Sequence, residues 1–159
     1  MDVFTAIASK RDERRYADRA IPEEVVTRIL DAGRLSGSSM NRQDWEFVVV
    51  ADQQALAEAV YAPNNVLTAA VVVAIVCPRA FDVGRVAQNM MLAAWGEGVV
   101  SCPNGIQDPA GAEAILGGEA VLILSFGYPA TPRDPESRPA EEWSQRANRK
   151  PLDEVVRRT

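Results

Sequence analysis

Two clusters of basic side chains are the residues of this 159-residue chain that could most directly bind a charged ligand. The first cluster consists of Lys10, Arg11, Arg14 and Arg15, and the second of Arg146, Arg149 and Lys150. Fifteen of the 17 basic residues are arginines, and the planar guanidinium group binds phosphate through paired hydrogen bonds. The clusters therefore indicate either a phosphate site or ordinary solvated surface charge, and their composition alone leaves both interpretations open.

Two polar loops are further candidates. Residues 36–43 offer serine hydroxyls, the side-chain amide of Asn41 and flexible backbone N–H groups. Pro103, Asn104 and Gly105 form a second short polar stretch, which we predict to be a turn. Both stretches are also typical of plain connecting turns, because serine, asparagine and glycine favour turns for local reasons.

Several classes of chemistry are excluded or disfavoured. The chain has no histidine, which removes imidazole bases, Ser-His-Asp systems and metal sites that need a histidine ligand. Cys77 and Cys102 lack the spacing of a zinc site, so we expect two reduced, buried thiols and no metal. No glycine spacing matches a dinucleotide fingerprint or a P-loop.

The overall charge and hydropathy predict a soluble, cytoplasmic protein. With 17 basic and 22 acidic residues the net charge is -5 and the pI about 4.8, whereas a nucleic-acid binder needs a basic field. No apolar run approaches the length of about 18 residues that predicts a membrane span. The first 15 residues are apolar first and charged second, the reverse of a secretory signal. We therefore expect neither nucleic acid nor a membrane as a partner.

Apolar periodicity predicts alternating helices and strands that would position these residues. The predicted helices cover residues 2–9, 21–35, 53–61, 82–97 and 109–116, and the predicted strands 45–50, 67–76, 99–102 and 120–126. Residues 63–65 are predicted to be a turn. Helix 82–97 is apolar around most of its circumference, which indicates burial in a core or against a second subunit. After Tyr128 no apolar periodicity returns until Leu152, which predicts an arm that cannot bury itself alone.

The chain resembles the nitroreductase family of FMN flavoproteins in a series of ordered motifs. They are Ile7-x-x-Lys10-Arg11-Asp12-x-Arg14-x-Tyr16, Ile21-Pro22-Glu23-Glu24, Ser38-x-x-Asn41-Arg42-Gln43-x-Trp45, Gln88-Asn89-Met90, Gly98-Val99-x-Ser101-Cys102-Pro103, Gly127-Tyr128-Pro129 and Arg149-Lys150-Pro151-Leu152. Because they are spread over most of the chain, they are more specific together than any single motif.

The resemblance implies a set of cofactor contacts. They are Lys10, Arg11 and Arg149 near the FMN phosphate, Asp12 where a serine often contacts the flavin, Arg14 at the pyrimidine edge, Ser38, Ser39 and Asn41 on a loop that wraps the flavin partly from the second subunit, and Asn104 and Gly105 beside flavin N5. No side chain is implied as a catalytic group, since the flavin carries hydride at N5 and the protein supplies position and electrostatics.

Two departures from the family pattern are visible. Asp44 stands where the family usually has proline, which adds a charge beside the loop. Only residues 61–66 link the helix after the first strand to the second strand, where many relatives insert helices that cover the cofactor.

The resulting expectation is an α+β nitroreductase-like fold with a central mixed, mostly antiparallel sheet flanked by helices. It would form one domain over residues 1–159, with residues 129–159 as an extended arm that packs on the body or on a partner. We expect a homodimer with helix 82–97 and the arm at its interface.

The implied activity is FMN-dependent transfer of two electrons from NAD(P)H through flavin N5 to a small electrophilic acceptor, such as a nitroaromatic, a quinone or an activated alkene. The alternative is a non-catalytic dimer that binds FMN or a phosphate ligand and has lost the covering segment.

Overall fold

The computed structural model describes all 159 residues, which form two compact units. The larger unit is Arg11–Arg133, and the smaller combines Met1–Lys10 with Asp134–Thr159. In chain order the elements are α1 (Val3–Ser9), α2 (Glu23–Arg34), β1 (Glu46–Val49), α3 (Gln53–Ala57), α4 (Pro63–Leu67), β2 (Val71–Val76), α5 (Ala80–Gly96), β3 (Val100–Asn104), α6 (Pro109–Leu116), β4 (Ala120–Gly127), α7 (Ala140–Arg146) and α8 (Leu152–Val155). The expected single domain stays a prediction. None of the helices is both long enough and apolar enough to span a membrane.

A four-stranded antiparallel sheet is the centre of the larger unit, with strand order β1-β2-β4-β3. Strand β2 is valine-rich and apolar along its whole length, so it occupies a central position with both faces buried. Within β2, Val73 is paired with Val49 of β1 on one side and with Leu124 of β4 on the other. The expected α+β class is confirmed. The only parallel pairing is the isolated bridge between Asp12 and Ser101 at the β3 edge.

Helices α2 and α5 cover one face of this sheet. The apolar residues of α5 turn inward, and Val86, Met90 and Ala94 are fully buried within the chain. We expected α5 at a subunit interface because of its apolar side chains. That reason was wrong, because these side chains are already covered within the chain. An apolar periodicity shows that a face is covered, but here another part of the same chain covers it.

The opposite face of the sheet is covered by the short helices α3, α4 and α6. Leu56 of α3, Val66 of α4 and the intervening Val60 belong to one hydrophobic cluster with Val72 and Ile123 of the sheet, and all five are almost completely buried. The two short helices between β1 and β2 thus close this part of the core together with α6.

Two predicted turns are regular structure instead. The sequence Pro-Asn-Asn at 63–65 begins α4, because proline also fits the first turn of a helix, where its missing N–H has no partner to lose. Pro103 and Asn104 extend β3, which lies at the edge of the four-stranded sheet, where a strand proline is tolerated. Only Gly105 of the predicted turn lies outside the strand.

The smaller unit contains α1, α7 and α8. Asp2 caps α1 by accepting hydrogen bonds from the backbone N–H groups of Phe4 and Thr5. The residues that were predicted to form an extended arm include two helices. Helix α7 begins after Pro139 and has two glutamates in its first turn, which favour a helix start. The sequence did not reveal this helix, because it has too few apolar residues to show a period. The indole N–H of Trp143 donates to the Pro135 carbonyl at 2.9 Å and ties α7 to the preceding turn.

Candidate functional site

Arg11, Arg14 and Arg15 of the first basic cluster belong to a segment, residues 11–16, that lies along the edge of β3. Asp12 forms a parallel bridge with Ser101, and the Glu13 N–H donates to the Ser101 carbonyl at 3.1 Å. These backbone contacts, with the bridge between Tyr16 and Pro129, attach both ends of the segment to the sheet region. The sheet edge therefore gives Arg14 a defined position.

Arg14 is fixed further by its side chain. Its guanidinium forms a hydrogen bond with the side chain of Cys102, and this contact holds the pKa of Arg14 above its ordinary value. The neighbouring Glu13 is bound by Arg133 at 2.6 Å, so this carboxylate has its own cationic partner. This ion pair thus attaches Arg133 to the basic segment.

A network of polar side chains lies behind this segment. The Asn65 amide donates to Asn104 Oδ1 at 2.9 Å, and Asn104 Nδ2 donates to Ser125 Oγ and to the Cys102 carbonyl, each at 3.0 Å. The hydroxyl of Tyr16 lies 2.8 Å from Ser125 Oγ. Sequence reasoning missed Asn65 and Ser125, since a single asparagine in a predicted turn and a serine in a predicted strand carry no local sign of pairing.

The partly buried position of Tyr16 changes its ionisation. Burial raises the pKa of its phenol to about 12, and the hydrogen bond with Ser125 offsets only part of this effect. The hydroxyl therefore keeps its proton to a higher pH than an ordinary tyrosine does and can hold its place in the network.

Gly105 follows this network directly and is exposed. A methyl group on its Cα would lie 3.0 Å from Cδ2 of Tyr61, so the tyrosine ring occupies the side that a larger residue would need. The Tyr61 N–H also donates to the Gly105 carbonyl at 3.2 Å. Asn104, in contrast, has its side chain buried, so only its backbone could face a ligand.

The serine-rich loop between α2 and β1 has an unusual backbone. Met40, Asn41 and Gln43 all have φ between 53° and 55°, a region that side-chain-bearing residues rarely adopt and that often marks ligand-binding loops. Ser38 Oγ accepts a hydrogen bond from the Gln43 N–H at 2.9 Å and closes the loop. Ser39 is exposed at the start of a single 3-10 turn.

This loop is attached to α5. Asn89 donates to Ser36 Oγ at 2.8 Å, and the space beside Gly37 is occupied by the Arg85 guanidinium. The charge that Asp44 introduces is paired with Arg79. Asp44 is therefore not an isolated negative charge beside the loop.

Lys10 and Arg149 belong to the smaller unit. Lys10 follows the last residue of α1, and its N–H donates to the Ala6 carbonyl. Arg149 follows α7, where its N–H donates to the Ser144 carbonyl at 3.1 Å. Arg149 also lines an open groove of about 710 Å³ together with apolar side chains that include Phe4 and Leu152.

Known structures resemble the entire chain. A crystal structure of a candidate nitroreductase in complex with FMN from Desulfovibrio desulfuricans has a TM-score of 0.81 and 25% identity, and covers 100% of this chain and 98% of that one. A nitroreductase family protein from Clostridium difficile 630 has a TM-score of 0.80 and 22% identity, over 99% of this chain and 98% of its own. The expected nitroreductase-like fold is confirmed.

The sequence comparisons agree with this fold. The nitroreductase family model matches residues 7–76. The resemblance of this chain to the nitroreductase family is therefore confirmed in both sequence and fold.

Among the relatives that this chain matches in sequence, a candidate NADH dehydrogenase/NAD(P)H nitroreductase from Methanothermobacter thermautotrophicus is 41% identical over 56 residues, which are 35% of this chain and 29% of that protein. An NADH dehydrogenase from Thermus thermophilus is 37% identical over 75 residues, 45% of this chain and 37% of that protein. The matches therefore span less than two fifths of either relative.

The structure groups the predicted site residues in three places. Along β3 lie Arg11, Asp12, Arg14, Asn104 and Gly105; on the loop beside α5 lie Ser38, Ser39 and Asn41; and in the smaller unit lie Lys10 and Arg149. Their contacts with a cofactor stay a prediction.

Proposed function

We propose that this protein is an FMN-dependent oxidoreductase that passes two electrons from NAD(P)H to a small electrophilic acceptor such as a nitroaromatic, a quinone or an activated alkene. The observation that carries the proposal is the similarity of the whole chain to an FMN complex, at a TM-score of 0.81. The names of the relatives from Methanothermobacter and Thermus support a nicotinamide electron donor.

The donor groups of the chain fit FMN chemically. The phosphate of FMN requires cationic donors, which Lys10, Arg11 and Arg149 would supply. The pyrimidine edge gains negative charge on reduction, and Arg14 would provide a positive charge there. The strained loop that contains Ser39 and Asn41 would contribute hydroxyl, amide and backbone donors.

The protein's part in the reaction would be binding and electrostatics. Bound FMN would supply the two-electron redox chemistry, for which the protein side chains have no equivalent. Arg14, whose guanidinium is hydrogen-bonded to Cys102, would stabilise negative charge at the pyrimidine edge. The exposed backbone of Gly105 would lie beside flavin N5, as the family resemblance implies, while the Tyr61 ring fills the side on which a side chain would stand. Asp12 would hold the basic segment against Ser101.

We also propose that the protein is a homodimer. The support comes from the smaller unit, where Phe4 is 79% exposed and Leu152 is 74% exposed, with Ile7 and Val155 exposed on the same groove. Four large apolar side chains around one groove favour burial by another protein surface. A second subunit would also supply the loop that contains Ser38 to its partner's flavin, as the family resemblance implies.

One observation favours the alternative of a non-catalytic dimer that binds FMN or a phosphate ligand. Between β1 and β2 the chain has only α3 and α4, each of five residues. Such a short segment would leave a bound flavin more open to water, which weakens electrostatic interactions and shortens retention of the cofactor.

The two functions are separated by a spectroscopic experiment. The purified protein is mixed with FMN, freed of excess, and treated with NADH or NADPH without oxygen. We expect retained flavin absorption that is bleached by the nicotinamide and restored by a nitroaromatic or a quinone. Retained flavin that neither nicotinamide reduces would establish the alternative, and no retention of FMN would refute the FMN-dependent function.

A further inference from the structure

The network behind β3 is a set of neutral polar side chains inside an apolar region. Asn65 is 8% exposed, Asn104 is 3% exposed and Ser125 is fully buried. Burying an amide is costly unless its hydrogen bonds are made, whereas apolar side chains would fill the same volume without that requirement. A satisfied buried network instead favours one arrangement of the segments that it joins.

The hydrogen bonds fix the orientation of the Asn104 amide. Its Nδ2 faces the carbonyl oxygen of Cys102, an atom that can only accept. Its Oδ1 must therefore face the opposite way, toward residue 65, and that position must supply a donor. Asn65 Nδ2 is this donor, at 2.9 Å. A flipped Asn104 amide would place two oxygens against each other at the Cys102 carbonyl.

The network joins the two parts of the proposed flavin site that lie along β3. Asn104 is the last residue of β3 and directly precedes Gly105. On the other side, Ser125 contacts the hydroxyl of Tyr16, at the end of the segment that carries Arg14. The side chain of Asn65 therefore reaches both parts through at most two intermediates.

We propose that Asn65 is a positioning residue that, through Asn104 and Ser125, holds the Gly105 backbone and the Arg14 segment in fixed relation to each other. The value of this arrangement for FMN rests on the proposed function. The hold on the two segments is a property of the chain itself, so it can be measured without FMN.

The sharpest variant is Asn65→Asp, which keeps the shape of the side chain and removes its donor. An ionised carboxylate would face Asn104 Oδ1, so two acceptors would oppose each other. Asn64→Asp is the matched control, because residue 64 is the neighbouring asparagine of the same helix and is exposed. Asn65→Leu is a second test variant, which removes the donor without adding a charge.

The first measurement is backbone hydrogen exchange in ligand-free protein, followed in peptides that cover residues 11–17 and 103–107. We expect Asn65→Asp and Asn65→Leu to accelerate exchange in both peptides about tenfold, the effect of one lost buried hydrogen bond. The Glu13 N–H, bound to Ser101, is the reporter for the basic segment. Unfolding midpoints in urea show whether each variant is folded. Unchanged exchange in either peptide for a folded variant overturns the proposal.

The second measurement is the dissociation constant of FMN, with the midpoint potential of the bound flavin. We expect both Asn65 variants to weaken FMN binding about tenfold and to shift the potential, while Asn64→Asp changes neither. Faster exchange with unchanged FMN binding and potential overturns the positioning role. If the unmutated protein binds no FMN, the proposed function fails, and the exchange data alone decide whether Asn65 holds the two segments.

Discussion

Removal of the Tyr16 hydroxyl should reverse its effect on stability between neutral and alkaline pH. In the folded protein burial raises the pKa of Tyr16 to about 12, whereas an unfolded tyrosine ionises near 10. Between these values the unfolded chain loses the proton and the folded chain keeps it, so the unfolded state binds fewer protons. The free energy of unfolding of the wild-type protein must therefore fall as the pH rises through this range.

The magnitude follows from the size of the shift. Each pH unit within the window lowers the free energy of unfolding by about 1.4 kcal/mol, for a total of at most about 2.7 kcal/mol. At neutral pH the Tyr16→Phe variant should be less stable than the wild type by about 1 kcal/mol, because it loses the hydrogen bond with Ser125. The variant has no phenol proton to lose at this position. The stability curves of the wild type and of Tyr16→Phe should therefore cross between pH 10 and about pH 11.

Urea denaturation at several values between pH 8 and pH 12, followed by tryptophan fluorescence, measures the difference between the two proteins. Other groups titrate in this range, but they are common to both proteins and cancel in the difference. Tyr61→Phe is the control, since Tyr61 is 71% exposed, and its curve should stay parallel to that of the wild type. A constant difference between wild type and Tyr16→Phe across this range would refute the buried, neutral phenol.

Three predictions concern the proposed function. Arg14→Gln should lower the midpoint potential of bound FMN by tens of millivolts, where about 30 mV corresponds to 1.4 kcal/mol, with a smaller effect on oxidised FMN; potentiometry that gives an unchanged value would place Arg14 elsewhere. Arg149→Ala should weaken FMN binding by about 1.5–3 kcal/mol while the exposed Arg157→Ala does little, and equal effects in a binding titration would make the second cluster ordinary surface. Phe4→Asp should convert a sedimenting dimer into monomers, and an unmutated protein that sediments as a monomer would contradict the dimer.

Local sequence signals predicted the elements whose ends have strong local determinants. Helix α6 was predicted at its observed bounds because Asp108 caps it, Pro109 begins it and Gly117, at φ 74°, ends it. Helices α1, α2 and α5 and strand β4 were predicted to within two residues at each end. These elements combine an apolar period with residues that begin or end them.

Tertiary contacts decided the rest. Strand β3 runs through Pro103 because its edge position tolerates a residue without an N–H, and the sequence does not reveal which strand will be at an edge. The apolar face of α5 was predicted to be buried, but whether α2 or a second subunit covers it depends on the packing of the whole chain. The ion pair between Asp44 and Arg79 joins residues 35 positions apart, which no local pattern could indicate.

The stretch between β1 and β2 shows why a local interpretation can miss the function of a segment. In the sequence, the shortness of this stretch indicates that the helices that would cover the cofactor are missing, and Pro63 with the two asparagines after it indicates a turn. In the structure the same residues form α4, which contributes Val66 to the core and directs Asn65 to Asn104. A segment too short to cover a flavin can still hold the backbone around it, because a donor at one buried position fixes an amide at the end of β3. The short segment therefore favours the non-catalytic function less strongly than its length alone suggests, and the response of FMN binding to Asn65→Asp bears on that choice more directly.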